Sequence, residues 1–120
     1  MTVSRRRTPA EFLPLSPSSF HILLALVDGE QHGYAIMRLV TAATDGTVRL
    51  GPGTIYRVVS TLLAGELIEE VSPKKRNAED ERRRYYRLTP LGLRVVSEDA
   101  RRLAAAVDMA RAKRLVPRTR

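Results

Sequence analysis

Residues 50–89, LGPGTIYRVVSTLLAGELIEEVSPKKRNAEDERRRYYRLT, constrain the fold more than any other stretch of this chain. They read as a Gly-Pro-Gly-Thr turn, an amphipathic helix, and two short β-prone segments around a charged loop. At 100° per residue over Pro52–Ala64, Ile55, Val58, Val59, Leu62 and Leu63 share one face. Arg57, Ser60, Thr61 and Ala64 fall on the opposite face, with Tyr56 and Thr54 at its edges. Gly65 follows as the expected C′ residue. Strands are predicted at 67–71 and 83–88, with Pro73 and the run from Lys74 to Arg82 in the loop between them.

The flanking sequence extends this plan on both sides. Residues 1–14 read as a flexible basic arm. Ser16-Pro17 then supplies an N-cap and first helical position, because a proline at N1 gives up no hydrogen bond the helix needs. The first helix should run to about Val27, with Phe20, Leu23, Leu24 and Val27 at helical spacing, and Asp28-Gly29 should stop it. A second helix from about Gly33 places Ile36, Leu39, Val40 and Ala43 on one stripe and ends near Asp45-Gly46. Thr47–Leu50 is β-prone. Thr89-Pro90 repeats the cap-plus-proline signature and opens a last helix reaching about Lys113. Leu93, Val96, Ala100, Leu103, Val107 and Ala110 follow alternating spacings of three and four, the mark of a heptad seam. Such a helix overhangs a compact three-helix unit, so the seam is expected to join two copies of the chain. The organisation is then an arm (1–14), a winged helix domain (15–89), a dimerisation helix (90–114) and a basic tail (115–120). The fold class is mainly α with a small two-stranded β-wing: a winged helix-turn-helix with a long C-terminal dimerisation helix.

Charge is segregated along the chain, and that says more than the net value of +8. Residues 8–73 hold three arginines against seven acids. The loop region 74–87 holds seven basic residues against three acidic ones, and further basic residues crowd both ends. Basic arms and a basic hairpin on an acidic body are the electrostatic footprint of a polyanion binder. The expected partner is double-stranded DNA. Arg57, Ser60 and Thr61 can donate to base edges or phosphates, and Gly53 and Thr54 expose backbone N–H groups at a helix N-terminus, a seat for phosphate. Tyr34 and Tyr56 join this set, and Lys74, Lys75, Arg76, Arg82, Arg83 and Arg84 supply phosphate contacts from the hairpin. A polar helix face is ordinarily just solvated; the adjoining basic hairpin and glycine-rich turn favour a recognition helix. Glu79, Asp80 and Glu81 interrupt the basic run, so no base reading is assigned within it.

Other classes are disfavoured. The chain has no cysteine, which excludes disulfides and thiolate metal sites and makes the cytoplasm its simplest compartment. The longest apolar run, Ile22–Val27, is far short of a membrane span, and the N-terminal arginines precede no apolar segment of a signal peptide. His21 and His32 have neither metal-ligand spacing nor a catalytic partner set. No phosphate-binding loop, nucleophile elbow or dinucleotide fingerprint occurs. No enzyme, cofactor or metal is expected.

The motifs resemble those of the PadR family of bacterial transcriptional regulators. The resemblance rests on His32-Gly33-Tyr34 with Ile36, on Gly51-Pro52-Gly53-Thr54-Ile55-Tyr56, and on Leu62 with Gly65-Glu66-Leu67-Ile68. Arg83-Arg84-Tyr85-Tyr86-Arg87-Leu88-Thr89 followed by Leu91-Gly92 completes it, in order over residues 20–95. It implies a dimeric repressor on an inverted repeat, often relieved by a small-molecule effector, with one C-terminal helix packing against the partner's first helix. Family members often carry proline where this chain has Arg57, which moves a charge toward the groove. The chain has no tryptophan, so a ligand pore of stacked indoles is not implied. Two further readings compete: a winged-helix protein-interaction module with incidental basic tails, opposed by the charge segregation, and a metal or redox sensor, opposed by the absent cysteines.

Overall fold

A computed structural model of the chain describes residues 7–72 and 83–117. In order, a 3-10 turn (Pro9–Phe12) is followed by α1 (Pro17–Ala25), β1 (Gln31–His32), α2 (Gly33–Ala43) and α3 (Pro52–Ala64). Strands β2 (Ile68–Val71) and β3 (Tyr85–Leu88) then lead to α4 (Pro90–Ala112). The architecture is mainly helical with a small antiparallel wing, as expected, but the sheet has three strands rather than two, in the order β1-β3-β2. β1 pairs Gln31 with Tyr86 and His32 with Tyr85, while β2 pairs Ile68 with Leu88 and Val71 with Tyr85. A two-residue strand has no alternation to read, and its partner lies some 50 residues further along the chain, which is why periodicity misses it.

Local chemistry sets the helix starts. Ser16 Oγ accepts from Ser19 N at 3.1 Å with Pro17 at the first position, opening α1. Thr89 Oγ1 accepts from Gly92 N at 3.0 Å and donates to Glu66 O at 2.6 Å, so one hydroxyl caps α4 and ties its start to the turn after α3. α1 ends at Ala25, short of the expected Val27. Thr47–Leu50 forms no strand; the Thr44 hydroxyl donates to Val40 O and accepts from Val48 N, holding the connection as a turn that buries Leu50.

The end of α3 corrects the expectation for Gly65. This residue is the C-cap, with φ −80° in the right-handed region, and Glu66 takes the left-handed position at φ 62°. Leu67 N–H closes the turn onto Leu62 O at 3.0 Å. Glycine at 65 answers crowding: a Cβ there would lie 3.0 Å from the Phe12 ring, which would have to shift slightly to admit it. Gly92 is held more tightly still, since a Cβ would collide with the Leu67 carbonyl. That close approach seats the first turn of α4 on the start of β2.

The core lies where α1, α2 and α3 meet one face of the sheet and the first turns of α4. Ile22, Leu23, Ile36, Leu67, Ile68 and Val95 are almost wholly excluded from solvent. Each such side chain contributes about 1.5–3 kcal/mol. The stripes on α1 and α2 are narrower than periodicity suggests: Leu24, Val27 and Leu39 are exposed. Residues 7–13, expected within a flexible arm, are engaged instead. The 3-10 turn packs on α4, and Arg7 Nη1 donates to Ala64 O at 3.2 Å, at the C-terminal end of α3. Tyr86 and Tyr85 divide as alternation requires, with Tyr86 buried and Tyr85 half-buried.

Candidate nucleic-acid interface

α3 buries Ile55, Val58, Val59 and Leu62 and turns Gly53, Tyr56, Arg57, Ser60 and Thr61 outward; Thr54 is half-buried at the edge. Tyr56 stands 70% exposed. The Thr61 hydroxyl donates to Arg57 O at 3.1 Å, so its proton is spent within the helix and its lone pairs face outward. Arg57 and Ser60 have no side-chain partner among the described residues, which leaves a guanidinium and a hydroxyl available.

The start of α3 differs from that of the other α-helices. Ser16, His32 and Thr89 each cap a helix through a side chain, whereas Gly51 offers none to α3. Its first N–H groups are therefore open, in the manner of an anion seat. A Cβ on Gly53 would meet nothing within 4 Å, so the missing side chain keeps the approach to those donors clear.

α2 lies beside this face. Tyr34 is 58% exposed, and the Arg38 guanidinium carbon sits 5.8 Å from its ring centroid, in cation–π contact. His32 precedes them; its Nδ1 accepts from Ala35 N at 3.1 Å as the N-cap of α2. Its ring stacks on Tyr34 at 6.5 Å and meets Tyr85 edge-on at 5.3 Å. Across from it, at the start of β3, Arg83 Nη1 lies 3.3 Å from His32 Nε2. Arg84 pairs with Glu70 at 3.6 Å and Arg87 with Glu69 at 3.1 Å, both in exposed settings where such pairs add little stability. A groove of about 310 Å³ runs between α2, α3 and β3, with Met37, Ile55 and Val59 among its apolar lining and Arg83 and Arg84 among its polar lining. Tyr86 also lines it; burial, reinforced by the Glu70 carboxylate, raises its phenol above the ordinary tyrosine range and keeps it a neutral donor.

Tyr34, Gly53, Tyr56, Arg57, Ser60, Thr61, Arg83 and Arg84 are thus all exposed, and Tyr34, Tyr56, Arg83 and Arg84 border one groove. Lys74, Lys75, Arg76 and Arg82, with the acids at 79–81, lie outside the described residues. Two residues of this face escaped the sequence reading. Arg38 was legible, since it follows Tyr34 by four on a helix. His32 was not, because histidine is an uncommon cap and its place beside β3 depends on tertiary pairing.

The seam on α4 divides in two. Val96 is closed inside the protomer's own core, 3% exposed, because the first turns of α4 cover the domain. It therefore cannot face a second copy. Leu93, Ala100, Leu103 and Val107 are exposed, Ala110 partly so, and residues 100–109 are exposed on every side. Asp99 marks the boundary: it is 1% exposed, with Oδ1 accepting from Arg102 Nε at 2.7 Å. Among the described residues no group of three or more His, Asp or Glu converges as a metal site, and no helix is long and apolar enough to cross a membrane.

Residues 22–98 match the Transcriptional regulator PadR-like family. An uncharacterised 37.1 kDa protein in transposon TN4556 of Streptomyces fradiae is 34% identical over 83 residues, 69% of this chain. The chain spans 22% of that protein's length. A PadR-like transcriptional regulator from Bacillus cereus has the same fold, with a TM-score of 0.68 at 20% identity over 82% of this chain and 92% of that one. A transcriptional regulator from Clostridium thermocellum gives a TM-score of 0.65 at 23% identity, over 79% and 87% of the two chains. The family match covers well over half of the residues and the winged fold agrees with it, so the chain belongs to the PadR-like family of transcriptional regulators.

Proposed function

We propose that the chain acts as a homodimeric repressor that reads an inverted repeat. In this reading α3 enters the major groove with Tyr56, Arg57, Ser60 and Thr61 toward the bases, the open N-terminus of α3 at Gly53 and Thr54 receives a phosphate, and Tyr34, Arg83 and Arg84 hold the backbone on either side. The hairpin residues Lys74, Lys75, Arg76 and Arg82 are assigned to the backbone by charge. The observation that carries the reading is the outward stripe of α3 beside a groove that Arg83 and Arg84 border, with Arg57 unpaired among the described residues. A regulator of this kind works beside the chromosome, in the cytoplasm.

Dimerisation is assigned to the exposed apolar side chains of α1, the turn that follows it, and α4: Leu24 and Val27 with Leu93, Leu103 and Val107. Apolar surface continued over two helices beyond the reach of their own core marks an interaction face. A groove of about 440 Å³ between the end of α1 and the start of α4, bordered by Val27, Leu88 and Leu93, opens beside that face. A small molecule seated there would act on the spacing of the two recognition helices. Selection from a mixed pool of duplexes tests the reading: enriched sites should be inverted repeats with half-site centres about 34–36 Å apart or a multiple of it. Uniform recovery of all sequences would reduce the protein to a non-specific binder.

A further inference from the structure

The last carbonyls of an α-helix have no partner inside it. In α3 the following turn takes most of them: Thr61 O accepts from Gly65 N, Leu62 O from Leu67 N and Leu63 O from Glu66 N, each at 3.0 Å. Ala64 O is left, and its partner comes from the start of the chain, where Arg7 Nη1 donates to it at 3.2 Å. α3 has no basic residue in its own last turn, so Arg7 also supplies the cation that faces the negative end of the helix dipole. Its neighbours hold it there. The Thr8 backbone N–H and hydroxyl both donate to the Glu11 carboxylate, at 2.7 and 3.3 Å, and fix the 3-10 turn directly after Arg7. Phe12 of that turn stands against Gly65, where an added Cβ would come within 3.0 Å of the ring and 3.7 Å of the Arg7 guanidinium.

Capping α3 uses only part of this side chain. Arg7 is exposed, and beyond the N–H given to Ala64 O its donors have no partner among the described residues. Ala64 is itself the last residue of the outward stripe that runs through Arg57, Ser60 and Thr61. The free donors therefore stand at one end of that stripe, and the open helix N-terminus at Gly53 stands at the other. At about 1.5 Å per residue, Gly53 and Ala64 lie roughly 16 Å apart along the axis. The major groove is only about 12 Å wide. Laid across it with a phosphate at Gly53, α3 carries its C-terminal end to the opposite wall, where bare carbonyls would repel the backbone. We propose that Arg7 bridges Ala64 O and a phosphate of that opposite strand, which turns the repelling end of α3 into a second backbone contact; this rests on the DNA-binding reading above. Such a contact holds the helix in register and is indifferent to sequence.

Two substitutions separate the phosphate contact from a cap alone. Arg7→Ala removes both the cap and the charge, whereas Arg7→Gln removes the charge and keeps an N–H donor. Binding of the full chain to a mixed-sequence duplex is measured over a salt series, with thermal melting alongside. Both variants should bind roughly threefold to fivefold more weakly and show a log–log salt slope shallower by about 0.9 for each chain bound. Loss of a cap shifts the melting temperature but releases no counterion, so it leaves the slope where it was. A wild-type slope in either variant, at whatever melting temperature, would reduce Arg7 to a cap and overturn the contact while the DNA-binding reading stands. A wild-type chain that binds no duplex overturns both.

Discussion

Arg38 and Tyr34 lie one turn apart on the exposed face of α2, the guanidinium carbon 5.8 Å from the ring centroid. The ring contact restrains the cation, so in the proposed DNA complex less side-chain entropy would be lost on meeting a phosphate. Arg38→Ala should weaken binding equally on all duplexes and flatten the log–log salt slope by about 0.9. Titrations of a mixed-sequence duplex at several salt concentrations check this. An unchanged slope would place Arg38 away from the backbone.

Arg57 behaves differently in this account. It projects from the solvent face of α3, opposite Ile55, Val59 and Leu62, without a partner among the described residues. Arg57→Ala should cost about 1–3 kcal/mol on the selected site and relax preference at one base position. Competition binding against single-base variants measures it. Equal losses on selected and random duplexes would make Arg57 a phosphate ligand.

The turn after α3 predicts an inversion of ordinary glycine logic. Glu66 is left-handed at φ 62°, whereas Gly65 is right-handed and crowded by Phe12. Glu66→Gly should stabilise the fold by roughly 0.5–1 kcal/mol, the penalty of the left-handed position less the added chain entropy. Gly65→Ala should destabilise it by about 1–3 kcal/mol as the Phe12 ring is displaced. Denaturant melts of the two variants give both signs.

How far the sequence carries this structure depends on where each signal resides. The limits of α3 at Pro52 and Ala64 and its division into core and outward faces are local, written in a 3.6-residue period and a Gly-Pro start. β1 was hidden because its two residues are strand only by virtue of Tyr85 and Tyr86. Val96 was misassigned for a related reason: a heptad seam states which side chains share a face, and not whether that face meets the chain's own domain or another copy. Gly65 looked like a left-handed terminus, yet its smallness answers Phe12, more than fifty residues earlier. Within the interface, the stripe on α3 was legible residue by residue, whereas His32 acquires its setting from tertiary pairing with β3.

The central claim is that two chains, joined through α4, read one site together. A single module buries only roughly 600–1,000 Å² on DNA, too little to discriminate well among genomic sequences. Sedimentation of the wild-type chain and of Leu103→Glu, alone and with a selected palindromic duplex, measures this directly. The wild type should sediment as a dimer at micromolar concentration and carry two chains onto each duplex. Leu103→Glu, which sets an unpaired charge in the exposed seam, should sediment as a monomer with its far-UV helical signal largely kept and its tight binding lost. A wild-type chain that sediments as a monomer and still binds the duplex tightly as one copy would contradict the account.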